Sequence, residues 1–160
     1  MPLITKVTLR NYKSIASCQL ELQQLTFLVG PNGSGKSNFL DALRFVAEAL
    51  LTSLDHALRD RGTIKEVRRR SGGHPNHFAI RLDFSIPSGG LGHYTFRIGA
   101  KPSGGFEVQN EECRVSLGAG KALEAYYHVR SGEVIETSAA IVPPVLKDRS
   151  QPGLSCIEDV

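Results

Sequence analysis

The chain has 160 residues, 41% of them hydrophobic and 22% charged, with a formal net charge of +3. That length supports a domain with its own core, and the balance is that of a globular protein. No apolar run is long enough to span a bilayer, and the first residues lack a basic stretch followed by an apolar core, so neither a membrane span nor a signal peptide is expected. The three cysteines, Cys18, Cys113 and Cys156, lie far apart without metal-ligand spacing. Free thiols of that kind fit a reducing cytoplasm. His74 and His77 come nearest to a ligand pair, but Gly72, Gly73 and Pro75 make the stretch a solvated loop, and zinc is not expected.

In chain order, Leu3, Thr5, Val7 and Leu9 alternate with Ile4, Lys6, Thr8 and Arg10. This predicts a strand with one better-buried side. Asn11, Tyr12, Lys13 and Ser14 turn the chain, and Cys18, Leu20 and Leu22 alternating with Gln19 and Glu21 predict a second strand. Leu25 to Val29 is nearly all apolar and reads as a short strand buried on both faces.

The most informative stretch follows. Gly30, Pro31, Asn32, Gly33, Ser34, Gly35, Lys36 and Ser37 form a complete G-x-x-x-x-G-K-[ST] phosphate-binding loop, the Walker A motif. After it, Phe39, Leu43, Val46, Leu50 and Leu54 recur at helical spacing, with Leu40, Ala47 and Leu51 widening the stripe. Strand, glycine loop and helix together make the context in which such a loop works. Backbone N–H groups at a helix N-terminus meet a polyphosphate with unsatisfied donors and a favourable dipole. Glycine lets the main chain curl around phosphates without a Cβ in the way. Lys36 would bring its charge to the β/γ oxygens, and the Ser37 hydroxyl would ligate Mg²⁺. Residues 30–37, with Asn38 next to them, are the expected site for ATP and Mg²⁺.

Beyond the helix the character changes. Arg59, Arg61, Lys65, Arg68, Arg69 and Arg70 stand against Asp60 and Glu66, so six cations minus two anions leave +4 in this segment. Two readings stay open for Arg61, Lys65, Arg68, Arg69 and Arg70: a solvated helix end and loop, or a contact with DNA phosphates. From Phe78 to about Ile135, alternating runs separated by Pro-Ser-Gly-Gly turns predict an antiparallel meander. The reading is therefore one lobe over residues 1–135, with the meander at 78–135, and a loosely ordered tail over 136–160.

Ile4 to Ser14 with its Asn-Tyr-Lys-Ser turn, followed by Leu-Thr-Phe-Leu-Val-Gly-Pro-Asn-Gly-Ser-Gly-Lys-Ser-Asn-Phe-Leu-Asp-Ala-Leu, resembles the N-terminus of the RecF/SMC-like ATPases. These are ABC-type ATPase heads, grouped with the OLD-family proteins and bacterial AAA family ATPases. The similarity is strongest over residues 3–50, and the hairpins from Phe78 to Val115, with the acidic pair Glu111-Glu112, look like the β-subdomain of that lobe. The resemblance implies an α/β P-loop NTPase fold: an ABC-ATPase-head-like N-terminal lobe with an antiparallel β-subdomain. It implies partners too, namely a C-terminal lobe, a second head across an ATP-dependent dimer, and DNA in repair, chromosome maintenance or phage defence. It places Lys13 near the nucleotide.

In such heads an Asp-Glu strand and a serine-glycine signature complete the site, and neither is recognisable in this chain. Leu154 to Asp159 comes nearest, with Ser155 interrupting the apolar run and the acids in reverse order. The chain is therefore expected to stop before a catalytic half, and no catalytic residue and no glutamine loop is assigned. Two alternatives remain beside this reading. One is a transporter-type nucleotide-binding domain, the other a non-catalytic nucleotide-binding interaction module.

Overall fold

Period-two runs far apart in the chain find one another and build a single sheet. A computed structural model of the chain describes residues 3–70, 75–87, 89–117 and 123–138. Its strands are β1 (Leu3–Tyr12), β2 (Ile15–Glu21), β3 (His77–Ser85), β4 (Leu91–Ala100), β5 (Phe106–Leu117), β6 (Leu123–Arg130) and β7 (Glu133–Thr137). They lie in the order β2-β1-β3-β4-β5-β6-β7, and every neighbouring pair is antiparallel. After β2 the chain leaves the sheet at Leu22, whose N–H still donates to Thr5 O at 2.8 Å. It passes through the phosphate loop into α1 (Lys36–Leu51), α2 (Leu54–Arg59) and α3 (Ile64–Val67), then returns along the open edge of β1 as β3.

The helices bury one face of the sheet. Phe45 of α1 meets Phe78 of β3 and Tyr12 of β1 edge-to-face, at ring-centroid distances of 5.5 and 6.2 Å. Phe78 makes a further edge contact with Phe96 of β4 at 6.4 Å. Each such pair adds about 0.5–1.5 kcal/mol beyond the area it buries. Val7, Leu9, Ile80 and Ile98 complete this buried side. Side-chain caps start the two short helices: Ser53 Oγ accepts from His56 N–H at 3.1 Å, and Thr63 Oγ1 accepts from Lys65 N–H at 3.2 Å.

The alternation in β1 is broken by a register shift between Ile4 and Lys6. Ile4 therefore packs against the core, while Leu3 is exposed. Such a bulge moves a side chain to the other face, and period-two counting misses it. The turn is shorter than expected, because β1 runs on to Tyr12 and β2 starts at Ile15. The meander gains β7, through Thr137.

Helix α1 buries Phe39, Ala42, Phe45, Val46 and Ala49. Phe39 and Val46 of the expected stripe are buried and Leu43 is half-buried against the core, but the inward face is centred on Phe45 and leaves Leu50 out. Leu40, Leu50 and Leu51 are exposed, and Leu54 belongs to α2. The helix has two apolar faces, and the aromatic pocket offered by Tyr12, Phe78 and Phe96 selects the one that carries Phe45.

The buried strand expected at Leu25 to Val29 does not form. Leu25, Phe27 and Val29 are 71%, 77% and 91% exposed. A strand of that composition needs a ladder neighbour on each side. Both edges of β1 are taken by β2 and β3, and no described strand pairs with Leu25 to Val29. The α/β expectation is altered accordingly, since the described sheet is wholly antiparallel. No described helix is long and apolar enough to cross a membrane. The tail from residue 139 on, including Leu154 to Asp159 and Cys156, and the loop histidine His74 lie outside the described residues.

Candidate nucleotide-binding site

Helix α1 starts without a side-chain cap. Its N-cap is Gly35, left-handed at φ +95°, and the first intrahelical bond runs from Phe39 N–H to Gly35 O at 2.9 Å. The opening N–H groups of a helix have no partner inside it, so an uncapped start leaves them to an anion. Gly33, at φ +80°, also lies in the left-handed region, where any side chain would be strained. Lys36 curls back over the loop. Its Nζ donates to Gly30 O at 2.6 Å, Pro31 O at 2.8 Å and Ser34 Oγ at 3.3 Å. Phosphate oxygens would replace those neutral acceptors with charged ones, and charge-assisted bonds are the stronger. Asn32 to Asn38 line an open cleft of ≈ 260 Å³.

The Asn11–Ser14 turn lies directly against this loop. A Cβ placed on Gly35 would come within 3.7 Å of Ser14 Oγ and 3.6 Å of Ile15 Cγ1. Asn38 donates through Nδ2 to Ser14 Oγ at 2.7 Å, so its amide is engaged by the turn. Lys13 does not line the cleft. Its Nζ sits 2.6 Å from Asp41 Oδ2, one helical turn beyond Ser37. Tyr12 OH donates to the same oxygen at 2.7 Å, and Arg61 Nε donates to Asp41 Oδ1 at 3.1 Å. Burial works against the Asp41 charge, but the hydrogen bonds from Lys13, Tyr12 and Arg61 outweigh it and hold the carboxyl below its ordinary value. Burial, reinforced by Asp41, pushes the Tyr12 phenol far above its ordinary value. Burial also opposes the Arg61 charge, and the bonds to Glu48 and Asp41 more than restore it, so its pKa is raised.

The basic segment divides. Arg61 is not a surface cation. Its side chain is only 8% exposed, bonds Asp41, Glu48 and the Ala57 carbonyl, and lies over the Phe45 ring at 5.3 Å. Burying the guanidinium requires exactly such partners, because an unpaired buried charge is prohibitive. Arg70 pairs with Glu66, and Arg68 donates to Pro75 O at 2.8 Å. Lys65 and Arg69 form no ion pair among the described residues. The acidic pair divides in the same way. Glu111 is buried and accepts from Tyr94 OH and Tyr127 OH at 3.1 and 3.0 Å, whereas Glu112 lies on the other face with His93 at 3.0 Å. Asp41 is the site residue that motif reading passes over. It stands in the Ser-Asn-Phe-Leu-Asp run four residues after Ser37, the spacing that puts two side chains on one helix face.

A complete glycine-lysine loop opening an uncapped helix defines the class: a P-loop NTPase. The chain belongs to the AAA ATPase domain family, whose model matches residues 3–88. It is 47% identical over 47 residues to the chromosome partition protein Smc of Methanocaldococcus jannaschii, covering 29% of this chain and 4% of that one. It is 51% identical over 49 residues to the chromosome partition protein Smc of Desulfitobacterium hafniense, with the same 29% and 4% coverage. The matched stretch is thus a small part of each relative's length. Together these matches support an SMC/RecF-like AAA ATPase N-terminal region in this chain.

Proposed function

We propose that this chain is the ATP-binding lobe of a cytoplasmic SMC/RecF-like ATPase that acts on DNA. One observation carries the reading: Lys36 coiled over a glycine loop that opens an uncapped helix. The residues present fit a magnesium nucleotide. Gly30, Pro31, Asn32, Gly33, Ser34 and Gly35 form the cradle, Lys36 supplies the cation, and Ser37 supplies the hydroxyl for Mg²⁺. Asn38 holds the neighbouring turn, and Lys13 of that turn, ion-paired with Asp41, supports the site from behind the cleft lining. A bound nucleotide supplies the polyphosphate charge that these groups neutralise.

The proposed arrangement is ABC-head-like, with residues 1–135 as one lobe. Its exposed apolar residues, Leu25, Phe27 and Val29 ahead of the phosphate loop and Leu40, Leu50 and Leu51 on α1, are proposed to meet a C-terminal lobe. The acidic groups and signature needed for phosphoryl transfer would come from that lobe and from a second head. The relatives' name, chromosome partition protein, supports DNA as the substrate of the whole protein. Within the basic segment, Lys65 and Arg69 are the cations left to meet it.

Calorimetric titration with MgATP tests the reading. Lys36→Ala removes a charge-assisted contact and should weaken binding by about tenfold to over a hundredfold. Equal affinity in variant and wild type would overturn it.

A further inference from the structure

We infer that Asp41 is a positioning residue for the nucleotide site, acting through Lys13 to hold the Asn11–Ser14 turn against the phosphate loop. The inference rests on the nucleotide reading above and extends it to a residue outside the motif. Asn11 and Lys13 adopt φ of +53° and +46°. Non-glycine residues enter that region at a cost and stay there only where their surroundings over-determine them.

Contacts on both sides of the turn supply that over-determination. From the far side, Lys13 N–H donates to Val67 O and Arg69 N–H donates to Asn11 O, each at 2.7 Å. From the site's side the turn is gripped by two residues of α1, Asn38 on Ser14 and Asp41 on Lys13. Both belong to the helix whose first turn carries Lys36 and Ser37. The turn and the phosphate loop are therefore referenced to one rigid element. Asp41 is well suited to the task, because Tyr12 and Arg61 fix the carboxylate from the core side, and its Oδ2 accepts from Tyr12 and meets the ammonium at the same time. A carboxylate held in this way keeps its charge, and a charged acceptor on a rigid helix localises a flexible lysine.

The alternative is that Asp41 merely stabilises the fold through Tyr12 and Arg61. A double-mutant cycle read as MgATP affinity separates the two. Asp41→Asn keeps the shape and the hydrogen-bonding capacity but loses the charge, and should weaken MgATP binding by about tenfold, within the range of coupling seen for contacting charged pairs. Lys13→Met should weaken it comparably. The double variant should bind no more weakly than Lys13→Met alone, to within about twofold, because the second change has nothing left to act through. Lys13→Arg keeps a cation for Asp41 and should stay within about twofold of wild type, an arm that stands even if the Asp41 variants do not fold. Asp41→Asn weakening affinity equally with and without Lys13 would assign it a structural role alone and overturn the inference. Unchanged or tighter binding in Asp41→Asn, or Lys13→Arg as weak as Lys13→Met, would overturn it too. Lys36→Ala in the same series identifies which reading failed. If Lys36→Ala binds like wild type, the nucleotide reading falls and takes this inference with it. If Lys36→Ala is weak while the Asp41 and Lys13 variants are flat, only the inference falls.

Discussion

The two sides of α1 obey different rules. Toward the sheet, Phe45 and Ala42 are fully buried against a surface that also buries Tyr12 and Phe78. By contrast, Leu51 at the C-terminal end of α1 and Phe27 in the segment before the phosphate loop are 79% and 77% exposed. The antiparallel sheet is self-sufficient because each strand's ladder partner is another described strand, and the helices close its apolar face. The loop-bearing side lacks both kinds of closure. Among the described residues, Leu25 to Val29 finds no ladder, and Leu40, Leu50 and Leu51 of α1 stay exposed. Composition alone is not the cause, for apolar residues stand on both sides. What differs is whether a complementary surface lies within reach. An uncovered apolar stripe and an unpaired backbone edge are the marks of an interface.

The comparison can be broken most directly at Phe45. Phe45→Ala should cost about 3–5 kcal/mol in urea denaturation, the range for emptying a well-packed aromatic site. A loss below about 1 kcal/mol would mean that the sheet-facing side is not the stabilising one.

The Asp41 cluster, at the border between the two sides, should give an intermediate effect that depends on pH. Its folded carboxyl titrates below the unfolded one. Its contribution is therefore present above an unfolded pKa of about 3.9, and is lost as pH falls through the folded value. Asp41→Asn should cost about 1–3 kcal/mol near neutral pH, and the gap to wild type should close in acid. Urea midpoints between pH 7 and pH 2 would show this, and a gap constant across that range would remove the ion cluster from the account.

The smallest effect is expected on the open side. Phe27→Ser should shift stability by less than about 0.5 kcal/mol, as for an exposed position without partners, and should reduce self-association in sedimentation. A cost comparable to that of Phe45→Ala would erase the distinction between the two sides.

Much of this was legible in the chain. The phosphate loop is local chemistry: Gly33 and Gly35 are needed where φ is positive, and Lys36 and Ser37 sit at fixed offsets from them. The period-two runs that became β3 and β4 announced themselves, since alternation is enforced by every strand that has one buried face. The Arg59–Arg70 cluster was legible as charge but not as function. Nothing local distinguishes Arg61, buried between Asp41 and Glu48, from Lys65, which is exposed.

Read alone, the chain announced the glycine loop, the first two strands, the helix after the loop and the alternating runs of the meander. These depend on neighbours within a few residues, where spacing is geometry. Only the tertiary structure decided which face of α1 turned inward, that Leu25 to Val29 stayed unpaired, and that Asp41 became the meeting point of Tyr12, Lys13 and Arg61. Each of those outcomes depends on partners far away in the chain, on a pocket of rings or a free strand edge, and burial energies are settled only when such surfaces meet.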